Sequence, residues 1–186
     1  MFSRAVTGFV LTGGQSTRMG QDKALLPVQG QTLCEHIGDV VSLVAEKVLL
    51  VGHPERYGHL KYACLPDRHP DLGPLSGLET ALTFGAADLN VVAGCDVANI
   101  KVEWLRTLIR EAPDGVHCAV VEDAASRLQP LCGVYRSDCL PVVRRALEER
   151  RLRMMDLLTE LGAKLVRVDE LVVNLNSAAD WAGFER

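Results

Sequence analysis

The segment 11–27 reads L-T-G-G-Q-S-T-R-M-G-Q-D-K-A-L-L-P. Gly13 and Gly14 carry no side chains, so backbone N–H groups there can approach an anion closely, and Arg18 and Lys23 add charge-assisted hydrogen bonds. That is the chemistry of a phosphate cradle. Two common Gly-rich motifs do not fit it. A P-loop reads G-x-x-x-x-G-K-[ST], whereas Gly14 and Gly20 enclose five residues and Gln21 follows. The dinucleotide fingerprint G-x-G-x-x-G fails because Gly13 and Gly14 are adjacent. On composition alone, the segment serves equally as a strand-to-helix turn with exposed basic side chains.

A second cluster is acidic and amide-bearing. Asp96 follows the apolar run Asn90-Val91-Val92-Ala93, which puts a carboxylate at the carboxyl edge of a sheet, where open α/β folds hold ligands. Mg2+ is commonly held by one or two carboxylates together with waters and substrate phosphates. A carboxylate at a strand end also serves simply as a turn former. Asp67, before Arg68, reads as a turn residue by the same rule, and Asn174 and Asn176 stand just before a helix start, where asparagine often only caps. His53, His59, His69 and His117 are scattered without zinc-ligand spacing.

The elements that must position these residues alternate. Short apolar runs rich in β-branched residues predict strands over 5–11, 47–51, 62–65, 90–93, 117–121, 131–135 and 165–168. Segments of helical period fill the gaps over 33–44, 75–84, 102–111, 139–149 and 154–161, with Thr32 and Glu35 forming a capping box before the first. A last helix is expected from Ser177, carrying Trp181 and Phe184 toward the core. Such alternation is the signature of β-α-β units and a mainly parallel sheet. The run Glu148-Glu149-Arg150-Arg151 reads as a solvated helix end.

At 186 residues with no repeat or linker, one domain spanning 1–186 is expected. The 48% hydrophobic and 24% charged content is that of a globular chain, not a disordered or membrane one. Twenty basic against 24 acidic side chains give −4, so no global basic field exists to recruit nucleic acid or an anionic membrane. The opening apolar run is too short for a signal peptide, and nothing reaches the roughly 18 apolar residues of a membrane span, which predicts a cytoplasmic address. Six cysteines without a C-x-x-C pair read as reduced thiols, most of them in apolar stretches.

Taken together, the segment 11–26 resembles the signature of the nucleotidyltransferases of glycosyltransferase-A-like fold, and most closely that of the molybdenum cofactor guanylyltransferases, L-A-G-G-x-S-x-R-M-G-x-D-K-A-L-L. Only Thr12 departs, where alanine is usual, and it is expected to contribute mainly its backbone. The resemblance runs along nearly the whole chain. Pro66-Asp67 followed by Leu72-Gly73-Pro74-Leu75-Ser76-Gly77 is similar to the family's D-x(n)-G-P-L-A-G element beside the base and ribose. Gly94-Cys95-Asp96 resembles its P-C-D, Gln129-Pro130-Leu131 its Q-P-L, and Asn174-Leu175-Asn176-Ser177 its N-x-N-T.

The resemblance implies a three-layer α/β/α Rossmann-like fold and transfer of GMP from GTP to the terminal phosphate of molybdopterin, with pyrophosphate released. It implies Mg2+ on Asp96, catalytic roles for Arg18, Lys23 and Asp96, and nucleotide contacts from Leu11, Thr12, Gly13, Gly14, Lys23, Asp67, Gly77 and Asp96. Asn174 and Asn176 become candidates for contacting the pterin phosphate or the metal. Transient contact with molybdopterin-delivering and molybdoenzyme-maturation proteins follows from the same likeness. Two departures bear on the site. Around Gly52 the family often shows an asparagine close to the guanine, and the stretch Gly94–Asn99 lacks both prolines of P-C-D-x-P, which predicts a looser loop.

Three other readings compete. A cytidylyltransferase for the same pterin typically carries alanine at the position of Gly13, so Gly13 favours GTP over CTP. Sugar-1-phosphate nucleotidyltransferases usually read L-A-A-G-x-G-T-R. A non-catalytic nucleotide-binding or partner-docking module has no need of Arg18, Lys23 and Asp96 together.

Overall fold

Val6–Leu11 (β1) and Leu89–Gly94 (β6) are almost unbroken runs of apolar and small residues, and all six residues of each are buried. Strands covered on both faces require such runs. Around them stand β4 (Lys47–Gly52), β5 (Cys64–Pro66), β7 (Cys118–Glu122), β8 (Leu128–Arg136) and β9 (Lys164–Arg167), in the order β5-β4-β1-β6-β8-β7-β9. The structure is a computed structural model that describes residues 5–13, 22–175 and 180–181.

The pairings β4 with β5, β1 with β4, β1 with β6 and β7 with β9 are parallel, while β8 runs against both β6 and β7. The sheet is therefore mainly parallel, as expected, with one reversed strand. The link between β7 and β8, residues 123–127, is far shorter than the dozen or so residues a parallel crossover needs.

Alternation along β1 divides the interior in two. Phe9 and Leu11 pack with α3 (Pro74–Phe84), α5 (Leu140–Glu148) and α6 (Met154–Glu160), through Leu75, Leu78, Val143 and Leu157. Val10 points the other way, to Leu33 and Ile37 of α1 (Leu33–Ser42) and Leu105 and Leu108 of α4 (Val102–Arg110). The result is three layers, α/β/α. Each such fully buried side chain contributes about 1.5–3 kcal/mol relative to exposure.

Local sequence sets the helix limits. Thr32 caps α1 by accepting from Glu35 N–H at 3.4 Å, and Glu35 Oε2 accepts from Thr32 N–H at 3.0 Å, the reciprocal box expected there. The expected helix over 139–149 is instead a 3-10 turn, Ser137–Cys139, followed by α5, because Pro141 suits only a first turn. A hairpin of β2 (Pro27–Val28) and β3 (Gln31–Thr32) and a short α2 (Pro54–Tyr57) were not anticipated. The hairpin turns on Gln29 and Gly30, with φ of 50° and 84°, the left-handed pair a tight primed turn requires. The expected helix from Ser177 lies outside the described residues except at positions 180 and 181, which are helical.

Cys64 is partly exposed, the other five cysteines are buried, and none is bridged. Glu149 and Arg151 at the end of α5 are ion-paired, and Arg151 reaches on to Glu160 at 2.6 Å. Among the described residues, no helix is long and apolar enough to cross a membrane.

Candidate functional site

Six of the seven strands point their carboxyl ends to one edge, and β8 begins there. Each parallel ladder runs one residue past the strand: Thr12 N–H donates to Val51 C=O (2.9 Å), Cys95 N–H to Leu11 C=O (3.0 Å) and Asp67 N–H to Gly52 C=O (3.0 Å). Those bonds lock Thr12, Asp67 and the Cys95-Asp96 turn along a single rim, with Gly13 following Thr12. The rim is the place where open α/β sheets bind ligands.

Residues 14–21 lie outside the described residues, so Gly14 and Arg18 have no described position, but the residues that flank them are fixed. Tyr57 of α2 donates its hydroxyl to Asp22 Oδ2 at 2.7 Å and lies 3.5 Å from Thr12 C=O. Asp22 Oδ1 in turn accepts from Ala24 N–H at 3.1 Å, capping the 3-10 turn Lys23–Leu25 that carries Lys23. Burial and the Asp22 carboxylate push the Tyr57 hydroxyl well above its ordinary pKa, which keeps it a donor. One buried hydroxyl thus ties Thr12 to Asp22, the residues on either side of that segment.

The backbone donors are fewer than the sequence implied. Thr12 N–H is committed to Val51, and the Leu11 carbonyl is committed to Cys95. The Leu11 side chain is buried under α3, where a Cβ on Gly77 would come within 3.0 Å of Leu11 Cδ1. Leu11 and Gly77 therefore shape the floor of the rim, and the exposed Gly13 is the first loop residue facing outward. The Thr12 side chain is not idle either. Its hydroxyl donates to Val51 C=O at 2.9 Å and covers Gly52, where a Cβ would stand only 2.1 Å from Oγ1.

Asp67 faces Gly13: a Cβ on Gly13 would lie 4.0 Å from Asp67 Oδ2. Asp67 Oδ1 accepts from the Ser76 hydroxyl and from His69 N–H at 3.1 Å, so the first turn of α3 orients the carboxylate. Gly73, with φ of 73°, admits the turn into that helix.

Asp96 is largely buried at the end of β6. Burial raises its carboxyl above the ordinary range, against the lowering effects of its own backbone N–H and the nearby Lys23 ammonium. A Cβ on Gly94 would sit 2.6 Å from Asp96 Oδ1, so the glycine that replaces the family's proline leaves room for this rotamer. The loop is also pinned where looseness was expected. Leu175 N–H donates to Asp96 C=O (2.9 Å), Ala98 N–H to Val173 C=O (3.1 Å), and Asn99 spans Leu171 C=O (2.9 Å) and Val173 N–H (2.8 Å).

Asn174 pairs with Val97 through a backbone bridge and so stands beside Asp96, with its Nδ2 donating to Gln129 Oε1 at 3.0 Å. Asn176 lies outside the described residues. The structure thus brings Thr12, Gly13, Lys23, Asp67, Asp96 and Asn174 to one rim. Among the described residues, no three His, Cys, Asp or Glu side chains converge as a ready-made metal cluster. Mg2+ does not need one when phosphates supply the remaining oxygens. A desolvated carboxylate near the Lys23 ammonium suits a further cation.

Residues 8–176 match the family model described as the MobA-like NTP transferase domain. A Flavobacterium johnsoniae protein named "Probable molybdenum cofactor guanylyltransferase" is 33% identical over 93% of this chain and 93% of its own. The Archaeoglobus fulgidus molybdopterin-guanine dinucleotide biosynthesis protein A has the same fold, with TM-score 0.79 and 22% identity over 95% of each chain. Rv0371C of Mycobacterium tuberculosis, solved in complex with manganese, superposes at TM-score 0.70 with 17% identity over 96% of this chain and 97% of its own. With Gly13, Lys23, Asp67 and Asp96 gathered on one sheet edge, this chain belongs to the MobA-like NTP transferase family and is a nucleotidyltransferase.

Proposed function

We propose that the chain, acting as one domain over residues 1–186, transfers GMP from GTP to the terminal phosphate of molybdopterin and releases pyrophosphate. The observation that carries this reading is the placement of Gly13, Lys23, Asp67 and Asp96 on one rim, in a family whose relatives are named for that reaction. A phosphate monoester is largely ionised near neutral pH, so its oxygen attacks the α-phosphorus without a general base. A new P–O bond forms to the acceptor phosphate, and the bond between the α- and β-phosphates breaks.

The protein's contribution is then position and charge. Lys23, held by the Asp22 cap, and Arg18 neutralise the phosphates as pyrophosphate leaves. Asp67 and Gly13 bracket the base and ribose, and the missing Cβ at Gly13 leaves width for a purine. Asp96 holds a divalent cation, which we take to be Mg2+; when bound, that ion offsets charge on the phosphates. Asn174 and Asn176 are assigned to the acceptor. A cytoplasmic setting fits six unbridged thiols, and transient contact with proteins that deliver molybdopterin and mature molybdoenzymes belongs to the same proposal.

The test offers GTP, CTP, ATP and UTP with Mg2+ and molybdopterin, and follows pyrophosphate. GTP is expected to be used, and exclusive use of CTP overturns the choice of base. Asp96→Asn should lower turnover at least about 100-fold with unfolding unchanged, the usual scale for losing a charge-stabilising group. Full activity in that variant removes Asp96 from the site.

A further inference from the structure

Asp123 looks like an ordinary turn residue between β7 and β8, yet its side chain is wholly buried. Oδ1 accepts from Ala125 N–H (2.9 Å) and Arg127 N–H (3.0 Å). Oδ2 accepts from the Arg127 guanidinium (2.7 Å), Val172 N–H (3.4 Å) and Gln129 Nε2 (3.5 Å). The Arg127 partner holds its carboxyl down at about 2, so the group is an anion that only accepts.

That anion decides which way the Gln129 amide points. An oxygen cannot face a carboxylate, so the NH2 end of Gln129 is turned to Asp123 and Oε1 to the other side. Asn174 meets Oε1 at 3.0 Å and must present its own NH2 there. Its Oδ1 is then the opposite end, and among the described residues nothing donates to it. A register break in the β7–β8 ladder makes the chain possible: Val120 pairs with Gly133, but Val121 pairs with Gln129. The broken ladder's Pro130 carbonyl is satisfied by the Tyr135 hydroxyl at 2.7 Å. The break carries Gln129 to the rim between Asp123 and Asn174.

We propose that Asp123 and Gln129 are positioning residues that fix the polarity of Asn174, so that it offers the reaction site a carbonyl oxygen. Its ligand is therefore electropositive, either a divalent cation or an N–H donor of the acceptor molecule, and not a phosphate oxygen. The proposal rests on the guanylyl-transfer reading for the identity of the acceptor, but not for the polarity of the amide.

The test uses the full chain with Asn174→Leu, Gln129→Met and the double variant Gln129→Met/Asn174→Leu, with thermal unfolding as the folding check and Asn174→Ala as the substitute if Asn174→Leu does not fold. Mn2+ affinity in the presence of GTP reads the cation source, and the acceptor's KM reads the N–H source. Asn174→Leu should weaken one of these about tenfold, the scale of one hydrogen bond to a charged group. Gln129→Met should lower the same readout and add nothing in the Asn174→Leu background.

The proposal is overturned if Gln129→Met leaves unchanged the readout that Asn174→Leu lowers, because Asn174 then acts without the Gln129 contact. It is equally overturned if Asn174→Leu moves neither readout, or if Gln129→Met keeps its full effect in the double variant. The Mn2+ measurement needs no turnover. Failure of the transfer reading would instead show as wild-type protein that releases no pyrophosphate from GTP.

Discussion

Gly52→Ala is the perturbation whose cost the geometry sets most directly. A Cβ at position 52 would stand 2.1 Å from Thr12 Oγ1 and 3.1 Å from Tyr57 Cε2. Thr12 is 3% exposed, so its side chain has little room to move, and turning it away breaks the 2.9 Å bond to Val51 C=O. Overpacking of a filled interior costs about 1–3 kcal/mol, and the lost hydrogen bond about 1 kcal/mol more, giving roughly 2–4 kcal/mol. Thr12→Ala alone should cost about 1–2 kcal/mol, because the carbonyl of Val51 still accepts from the backbone of residue 12 at 2.9 Å. In the double variant the new methyl meets only the ring of Tyr57, so the two losses should not add. Urea denaturation of the four proteins should give a favourable coupling of about 1–3 kcal/mol. Additivity within about 0.5 kcal/mol would refute the placement of Thr12 over Gly52. If the coupling is found, two departures from the family pattern, threonine at 12 and glycine at 52, are one packing unit.

Tyr57→Phe removes the hydroxyl that joins Asp22 to Thr12; GTP affinity should fall about threefold to tenfold through lost preorganisation. A loss of stability with unchanged GTP affinity would show that the bond serves the fold alone. Glu79, 1% exposed, takes Arg68 at 2.7 Å and Arg144 at 3.0 Å on Oε1. Replacing both arginines with alanine leaves a buried carboxylate with the Thr83 hydroxyl (3.0 Å) but no cation and should cost about 3–5 kcal/mol, more than the two single changes summed, as urea midpoints would show. Asp123 has a folded pKa of about 2, below its unfolded value of roughly 3.9. Its contribution is thus complete above pH ~4 and fades as pH falls through 2. The stability gap between wild type and Asp123→Asn should close over that interval, and a gap that stays constant down to pH 2 would exclude the ion pair as its cause.

The strands were legible because burial on both faces writes itself as contiguous apolar residues, and α1 was legible because its cap is local. The reversed direction of β8 was also written in the chain, but in a length and not a composition: residues 123–127 are too few for a crossover. Tyr57 carried no readable signal. It lies 35 residues from the aspartate it holds, in a four-residue helix without periodicity. Thr12 was misjudged, and Asp123 was not singled out, for a common reason. A turn carboxylate and a threonine at a strand end look solvated by type, and only the packing of distant segments, Val172 on one and Gly52 on the other, makes them interior groups.

This asymmetry follows from what each group must do. A residue that meets a phosphate or a metal is restricted in type and in distance from the backbone turn that presents it, so Gly13, Lys23 and Asp96, to which the proposed mechanism gives those roles, fall into short motifs. A group that only holds another in place needs to supply one donor or acceptor at the right spot, which any nearby element can do. Tyr57 reaches Asp22 from α2, Ser76 reaches Asp67 from α3, and Gln129 reaches Asn174 from β8. The substrate-facing half of the site is therefore read from sequence spacing, and the supporting half emerges only when the sheet order sets distant strands side by side.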